Sequence, residues 1–264
     1  VTRVEDEPLA ALRLRAAALD SVADLRRFAA RLARDERAGA QQLRALAAAR
    51  ADALAAERRR IAGLFSRRAR LERAGARAIA GVDEVGVGPL AGPVVACAVV
   101  FAERPWLPGL GDSKQLTRAQ RERLDGEIRK QAHAIGVAEV WPAEIDRLNV
   151  YRAALEAMRR AVLALGVAPD HLLVDARVVP GLAIPQTPLI GGDARDGSIA
   201  AASIVAKVHR DALMQRLDAG HPGYGFAQNK GYGTADHLAA LRRLGPTPLH
   251  RRSFAPVSQL SLFK

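Results

Sequence analysis

Apolar positions in the first part of the chain recur at helical spacing. Leu9, Leu12, Leu14, Leu19, Val22, Leu25 and Phe28 follow one another this way, as do Leu43, Leu46, Leu54 and Ile61 later on. Gly39 and Gly63 are the only glycines before Gly75, and β-branched runs are almost absent. The pattern predicts a few helices joined by short turns over residues 1 to about 75. From Ala78 the texture changes. Ala78–Val82 and Pro93–Phe101 are apolar runs that predict strands. Thr117 can cap a helix reaching Ala134, along which acidic and basic residues alternate. Ile135–Trp141 predicts a strand, Ile145–Leu165 a helix stopped by Gly166, and His171–Asp175 a short buried strand ending in a carboxylate. Thr187–Ile190 is a further strand candidate. Ile199–Leu217 predicts a long helix and Thr234–Leu244 a shorter one. The expected class is α/β: a mixed sheet flanked by helices, its opening strands paired as a meander, preceded by a small all-helical region.

Charge adds a partner to this picture. The 264 residues carry a formal net charge of +12, which favours a polyanion, nucleic acid before a membrane surface. Arg58, Arg59, Arg60, Arg67, Arg68 and Arg70 cluster late in the helical region, as a solvated face or a phosphate-contacting one. Cys97 is the only cysteine, so an intrachain disulfide and a cysteine-based zinc site are excluded. Its apolar surroundings make it a small core residue. No stretch has the uncharged length of a membrane span, and the charged opening Arg3, Glu5, Asp6, Glu7 does not read as a signal peptide. A cytoplasmic monomer is expected.

Acidic residues at the ends of predicted elements carry the candidate chemistry. Asp83 and Glu84 follow an apolar run, Asp175 ends its own, and Asp193 follows Gly191 and Gly192 just before a helix. Neighbours in a regular strand face opposite ways, so Asp83 and Glu84 are expected to share a site only if the strand ends there. Each acid alone reads as a cap or turn residue. Converging, they would repel unless hard cations lay between them, and a pair of such ions can activate water against a phosphodiester. Gly86–Ala91 also fits the dinucleotide fingerprint. Two preceding carboxylates and Pro89 argue against a phosphate-binding helix start there.

The segment Ala80–Pro93, with Asp83, Glu84 and Gly86-Val87-Gly88-Pro89, resembles the opening motif of bacterial ribonuclease HII. Further blocks match in order: Gly111–Lys114, Leu172–Asp175, Gly192-Asp193, Ala200–Asp211, Tyr224–Thr234 and His250–Phe254. The resemblance covers about residues 78 to 256 and extends weakly to the helices before them. It implies a ribonuclease H-like fold over 76–256, behind a helical extension over 1–75. It implies that Asp83, Glu84, Asp175 and Asp193 bind two Mg²⁺ or Mn²⁺ ions. The implied reaction is hydrolysis of RNA in RNA–DNA hybrids and 5′ of ribonucleotides embedded in duplex DNA, in replication and repair. Tyr232 would lie against the sugar, Gly86, Val87 and Gly88 would meet the ribose and adjacent phosphates, and Lys114, Ser203, Lys207 and Lys230 would contact phosphates. Three of the five lysines fall in these blocks. The family usually has arginine where this chain has Val87, which implies weaker binding or reduced activity. The alternative is a catalytically weakened, clamp-tethered nucleic-acid binder of the same fold; another two-metal nuclease of that fold is a third reading. The tail over 257–264, with Gln259-Leu260-Ser261-Leu262-Phe263, resembles the pentapeptide that docks bacterial proteins on the sliding clamp.

Overall fold

The computed structural model describes residues 7–260. The chain divides into two compact units, one up to Gly63 and one from Leu64 onward. The first contains α1 (Leu9–Ala18), α2 (Val22–Arg31) and most of α3 (Ala38–Leu64). Ser21 caps α2 by accepting a hydrogen bond from the Asp24 amide at 3.0 Å. Leu12, Leu25, Phe28, Leu32, Leu43 and Ala51 form its buried centre.

The units meet earlier than the change of texture near residue 75. Helix α4 (Ser66–Arg73) belongs with the second unit. The reason is burial: Arg68 is enclosed and donates to the Phe101 carbonyl at 2.7 Å, while Phe65 meets the Phe101 ring edge-on.

The second unit is built on a five-stranded sheet in the order β3-β2-β1-β4-β5. Strands β1 (Ile79–Val85), β2 (Val94–Val100) and β3 (Ala134–Val140) form the antiparallel meander, and β4 (His171–Asp175) and β5 (Gln186–Leu189) join parallel to β1. Ala80, Val82, Leu172 and Val174 face a core completed by α7 (Val150–Leu163). The opposite face is covered by α9 (Gly197–Gly220), whose residues Gly197–Ala206 are all buried. Two glycines let the helices approach closely. A Cβ at Gly81 would lie 2.1 Å from the Ser198 carbonyl carbon, and one at Gly136 would lie 2.0 Å from the Ala161 oxygen. The remaining helices are α5 (Arg118–Gln131), α6 (Pro142–Leu148), the single turns α8 (Gly192–Arg195) and α10 (Phe226–Asn229), α11 (Ala235–Leu244) and α12 (Ala255–Leu260).

Four boundaries differ from the sequence expectation. Helix α5 has the expected Thr117 cap, as a full capping box with Gln120, but stops at Gln131. Ala132 is extended and the His133 amide is taken by the Val100 carbonyl, so the chain has already joined the sheet. The helix expected over Ile145–Leu165 is two helices. Asn149 sits at φ 71° between them and caps α7 through its own side chain, a local bond that competes with helix continuation. Strand β1 runs through Asp83 and Glu84 to Val85 instead of ending before them. The tail does not leave the domain at residue 257: Val257 is buried with Leu90 and Leu241, and α12 continues to Leu260.

Candidate active site

The carboxylates lie where β4 stops shielding β1. Pairing of β1 with β4 ends at Val82 and Val174, so Asp83, Glu84 and Asp175 occupy the end of that seam. Asp83 is buried on the α9 side, where Ser203 hydrogen-bonds it, and its Oδ1 accepts from the Glu84 amide at 2.8 Å. Glu84, though next in the strand, still reaches the same point, because no β4 residue pairs opposite it. One carboxylate oxygen from each of Asp83, Glu84 and Asp175 falls within 4.8 Å of the others. The expectation that strand alternation would separate the first two is therefore relieved by the truncated neighbour, not by a turn. Asp175 is oriented by the Gly192 amide, which donates to its Oδ1 at 2.6 Å.

Crowding shows in the acidities. Burial first, then the charges of Glu84 and Asp175, push Asp83 well above the usual carboxylate range, against an opposing hydrogen bond from Ser203. Burial also raises Glu84, with Arg177 opposing. Burial raises Asp175 as well; the Gly192 amide opposes it and the charge of Asp193 adds to it. The group has two cationic neighbours that the sequence reading did not supply with roles as ion-pair partners. Arg177 donates to Glu84 Oε1 at 2.9 Å, and Lys114 Nζ donates to Asp193 Oδ2 at 3.0 Å. Glu84 Oε2 is buried with no hydrogen-bond partner. An all-oxygen donor set with one orphaned buried oxygen fits a hard divalent cation.

All four predicted acids line one cleft of about 380 Å³. Val87, Lys114, Ser203, Lys207 and Tyr232 line it too. Gly86 and Gly88 flank Val87, and a Cβ at Gly88 would lie 3.8 Å from the Tyr232 ring. Asp193 stands outside the tight trio, its carboxylate held by Lys114. Lys230 is not brought to the cleft. Its amine donates to the Ala227 carbonyl, and it lines a separate small cavity with Arg118 and Asp211. Gln259 is exposed on α12, while Ser261, Leu262 and Phe263 lie outside the described residues.

Sequence reasoning passed over Arg121, Arg177, Arg210 and Arg251. Arg121 and Arg210 line the cleft, and Arg251 lies behind its glycine turn. Arg210 carried a usable signal: Ser203, Lys207 and Arg210 are spaced by four and three residues, one face of α9. Arg177 had none beyond standing two positions after Asp175.

Comparison with known proteins agrees with this geometry. The family model described as Ribonuclease HII matches residues 80–257. The Ribonuclease HII of Geobacillus thermodenitrificans is 54% identical over 228 residues, covering 86% of this chain and 88% of that protein. That of Moorella thermoacetica is 54% identical over 202 residues, 76% of this chain and 98% of that protein. Among solved structures, the ribonuclease H2 of Pyrococcus horikoshii superposes with a TM-score of 0.61 at 27% identity, covering 70% of this chain and 98% of that one. The ribonuclease HII in the PCNA:RNase HII complex of Archaeoglobus fulgidus gives 0.58 at 26% identity, over 67% and 95%. The helical segment, the mixed sheet and the matched motifs place the chain in the ribonuclease HII family, as an endoribonuclease of the ribonuclease H type.

Proposed function

We propose that this protein hydrolyses the RNA strand of RNA–DNA hybrids and incises 5′ of ribonucleotides embedded in duplex DNA, using two divalent ions held by Asp83, Glu84, Asp175 and Asp193. The observation that carries this reading is the convergence of three carboxylate oxygens within 4.8 Å, beside a buried and unpartnered Glu84 oxygen. Mg²⁺ or Mn²⁺ bound there would activate water and stabilise the leaving oxygen of the phosphodiester. The chain's own residues do the rest. The Gly192 amide fixes Asp175, and Ser203, itself 2.9 Å from Ser113, fixes Asp83. Lys207 puts a positive charge on the cleft wall for the scissile strand. Tyr232, nearly half exposed, offers a flat face to a sugar or base. The turn at Gly86–Gly88 presents backbone to the ribose, whose 2′-hydroxyl separates RNA from DNA.

Cleavage of a duplex with one ribonucleotide, compared with a full RNA–DNA hybrid, tests the reading in Mg²⁺ and in Mn²⁺. Products should carry a 5′-phosphate and a 3′-hydroxyl, and Asp83→Asn should abolish both reactions. Cutting only the full hybrid would reject the embedded-ribonucleotide assignment. A second reading, a weakened binder of the same fold, is favoured by Val87 alone, and binding without cleavage in either metal would select it.

The resemblance of the tail to a clamp-docking pentapeptide supports a role in replication and repair. A ribonuclease HII of Archaeoglobus fulgidus has been solved with PCNA, so a relative takes a protein partner. Deleting residues 259–264 is expected to abolish capture by a bacterial sliding clamp, and capture that survives the deletion would end this assignment.

A further inference from the structure

Two arginines are buried at the cleft, Arg210 in its lining and Arg251 behind its glycine turn, without a carboxylate partner among the described residues. Arg210 is 1% exposed and Arg251 is fully enclosed. Burying a guanidinium is costly unless its donors are matched, and here backbone carbonyls match them. Arg251 donates to the carbonyls of Val87 at 2.8 Å, Gly86 at 2.5 Å and Gly92 at 2.9 Å, the last also through Nε at 3.1 Å. Arg210 donates to Pro93 at 2.9 Å, Ala91 at 3.1 Å and Lys230 at 3.0 Å. One arginine thus grips the turn that holds Gly86 and Val87. The other joins the far side of that turn to the residue two before Tyr232.

The backbone completes the frame. The Leu90 amide donates to the Gly231 carbonyl at 2.8 Å, and the Arg251 amide to the Leu90 carbonyl at 2.8 Å. Glycine is required at two of the closest points. Gly86 has φ +83°, and a Cβ there would lie 2.3 Å from Arg210 Nε; Gly231 has φ +83°, and its Cβ would lie 2.2 Å from the Ala91 oxygen. Apolar side chains here would leave those carbonyls without donors, so the two guanidinium groups fix the geometry of the turn by satisfying its main chain.

We propose that Arg210 and Arg251 are positioning residues for ribose recognition: together they hold the Gly86–Gly88 backbone and the Tyr232 turn in one rigid frame, so that selectivity survives the valine at position 87. This rests on the proposed role of Gly86–Gly88 and Tyr232 as substrate contacts. The side chain at 87 then tunes affinity, while the buried arginines set discrimination. The hydrogen bonds of both guanidinium groups go to backbone carbonyls, so both act through the main chain.

The test compares cleavage at a single ribonucleotide with cleavage at a 2′-fluoro nucleotide in the same duplex, for the full chain and for Arg251→Lys and Arg210→Lys. Lysine keeps the charge but cannot span several carbonyls. Loosening the frame is expected to lower the ratio of the two kcat/KM values roughly tenfold or more, with Mg²⁺ affinity by calorimetry unchanged. Equal losses on both substrates would mean a merely structural role and overturn the proposal. A parent protein that does not cut at the single ribonucleotide would reject the functional reading instead. Hydrogen exchange on the unaltered protein gives a second measurement that needs no variant to fold. The amides of Leu90, Gly92 and Arg251, whose hydrogen bonds close the frame, are expected to open with one common free energy, and separate opening would also overturn it.

Discussion

The acids and the substrate-contacting turns face one cleft but are held in different ways. Asp83, Glu84 and Asp175 stand on strands, and their positions follow from sheet register and from a helix pressed onto Gly81. Gly86–Gly88 and Tyr232 stand on loops, and theirs follow from buried arginines that satisfy carbonyls. A strand gives side-chain direction through pairing with its neighbours. A loop has no ladder, so each carbonyl needs its own donor, and a guanidinium supplies up to five. The comparison teaches that the chemical half of the site depends on close packing, and the recognition half on buried hydrogen bonds.

Packing is the harsher constraint, and alanine at two glycines separates the halves. Gly81→Ala puts a methyl 2.1 Å from the Ser198 backbone, which neither main chain can easily yield. We expect a cost of about 3 kcal/mol or more, a fall in Tm on the order of 10 °C, and weakened metal binding as β1 moves off α9. Gly88→Ala meets only the Tyr232 ring, at 3.8 Å, and should melt like the parent. Equal melting of the two variants would break the contrast.

Acid strikes the loop half next. His237 and His250 are buried, with their Nε2 atoms 3.1 Å apart. The Thr247 amide donates to His250 Nδ1 at 3.0 Å, so the proton of neutral His250 is on Nε2 and points to His237. His237 then carries its own proton on Nδ1, 2.8 Å from the Tyr232 carbonyl. Burial, then the neighbouring His237 and more weakly His221, lower His250 to about 4, and burial lowers His237 too. The unfolded chain therefore binds protons first. The stabilising contribution is complete above the ordinary value of 6.5 and is lost as pH falls from there towards about 4. Melting curves across that window should show a decline of a few degrees that His250→Gln flattens. A decline unchanged in the variant would remove His250 as its source, since the site carboxylates, raised by burial, shift stability the other way as pH falls.

Much of this site was legible because the acids stand beside motifs that survive as sequence. The positions of the strands, the meander of the first three, the Thr117 cap and the place of the acids at element ends could be read from apolar runs, and the joint role of the four carboxylates from the family resemblance. Asn149 was not, because a capping side chain at positive φ inside an apolar period leaves the period intact. The sharing of one point by Asp83 and Glu84 was not either, since it depends on where β4 stops, a long-range fact. Arg251 was quoted in a motif without a role: a guanidinium that binds carbonyls 159 and 165 positions away has no local signature. Lys230 erred the other way, its motif position suggesting a phosphate contact while its amine is turned to Ala227.

The smallest expected effect sharpens the division within the recognition half. Val87 is half-buried against the core below the sheet, lines the cleft, and gives its carbonyl to Arg251 at 2.8 Å. Its backbone is thus held whatever the side chain, and Val87→Arg should leave the turn in place while adding a cation at the cleft wall. One added charge-assisted phosphate contact is expected to lower KM on a single-ribonucleotide duplex about tenfold and to steepen the salt dependence by about one ion. Because the contact would exist equally in ground and transition states, kcat should change little. The ratio of ribonucleotide to 2′-fluoro cleavage should also stay the same, since that ratio belongs to the arginine-held backbone. An unchanged KM would show that position 87 does not face the substrate strand, and a changed ratio would move ribose selectivity from the backbone to this side chain.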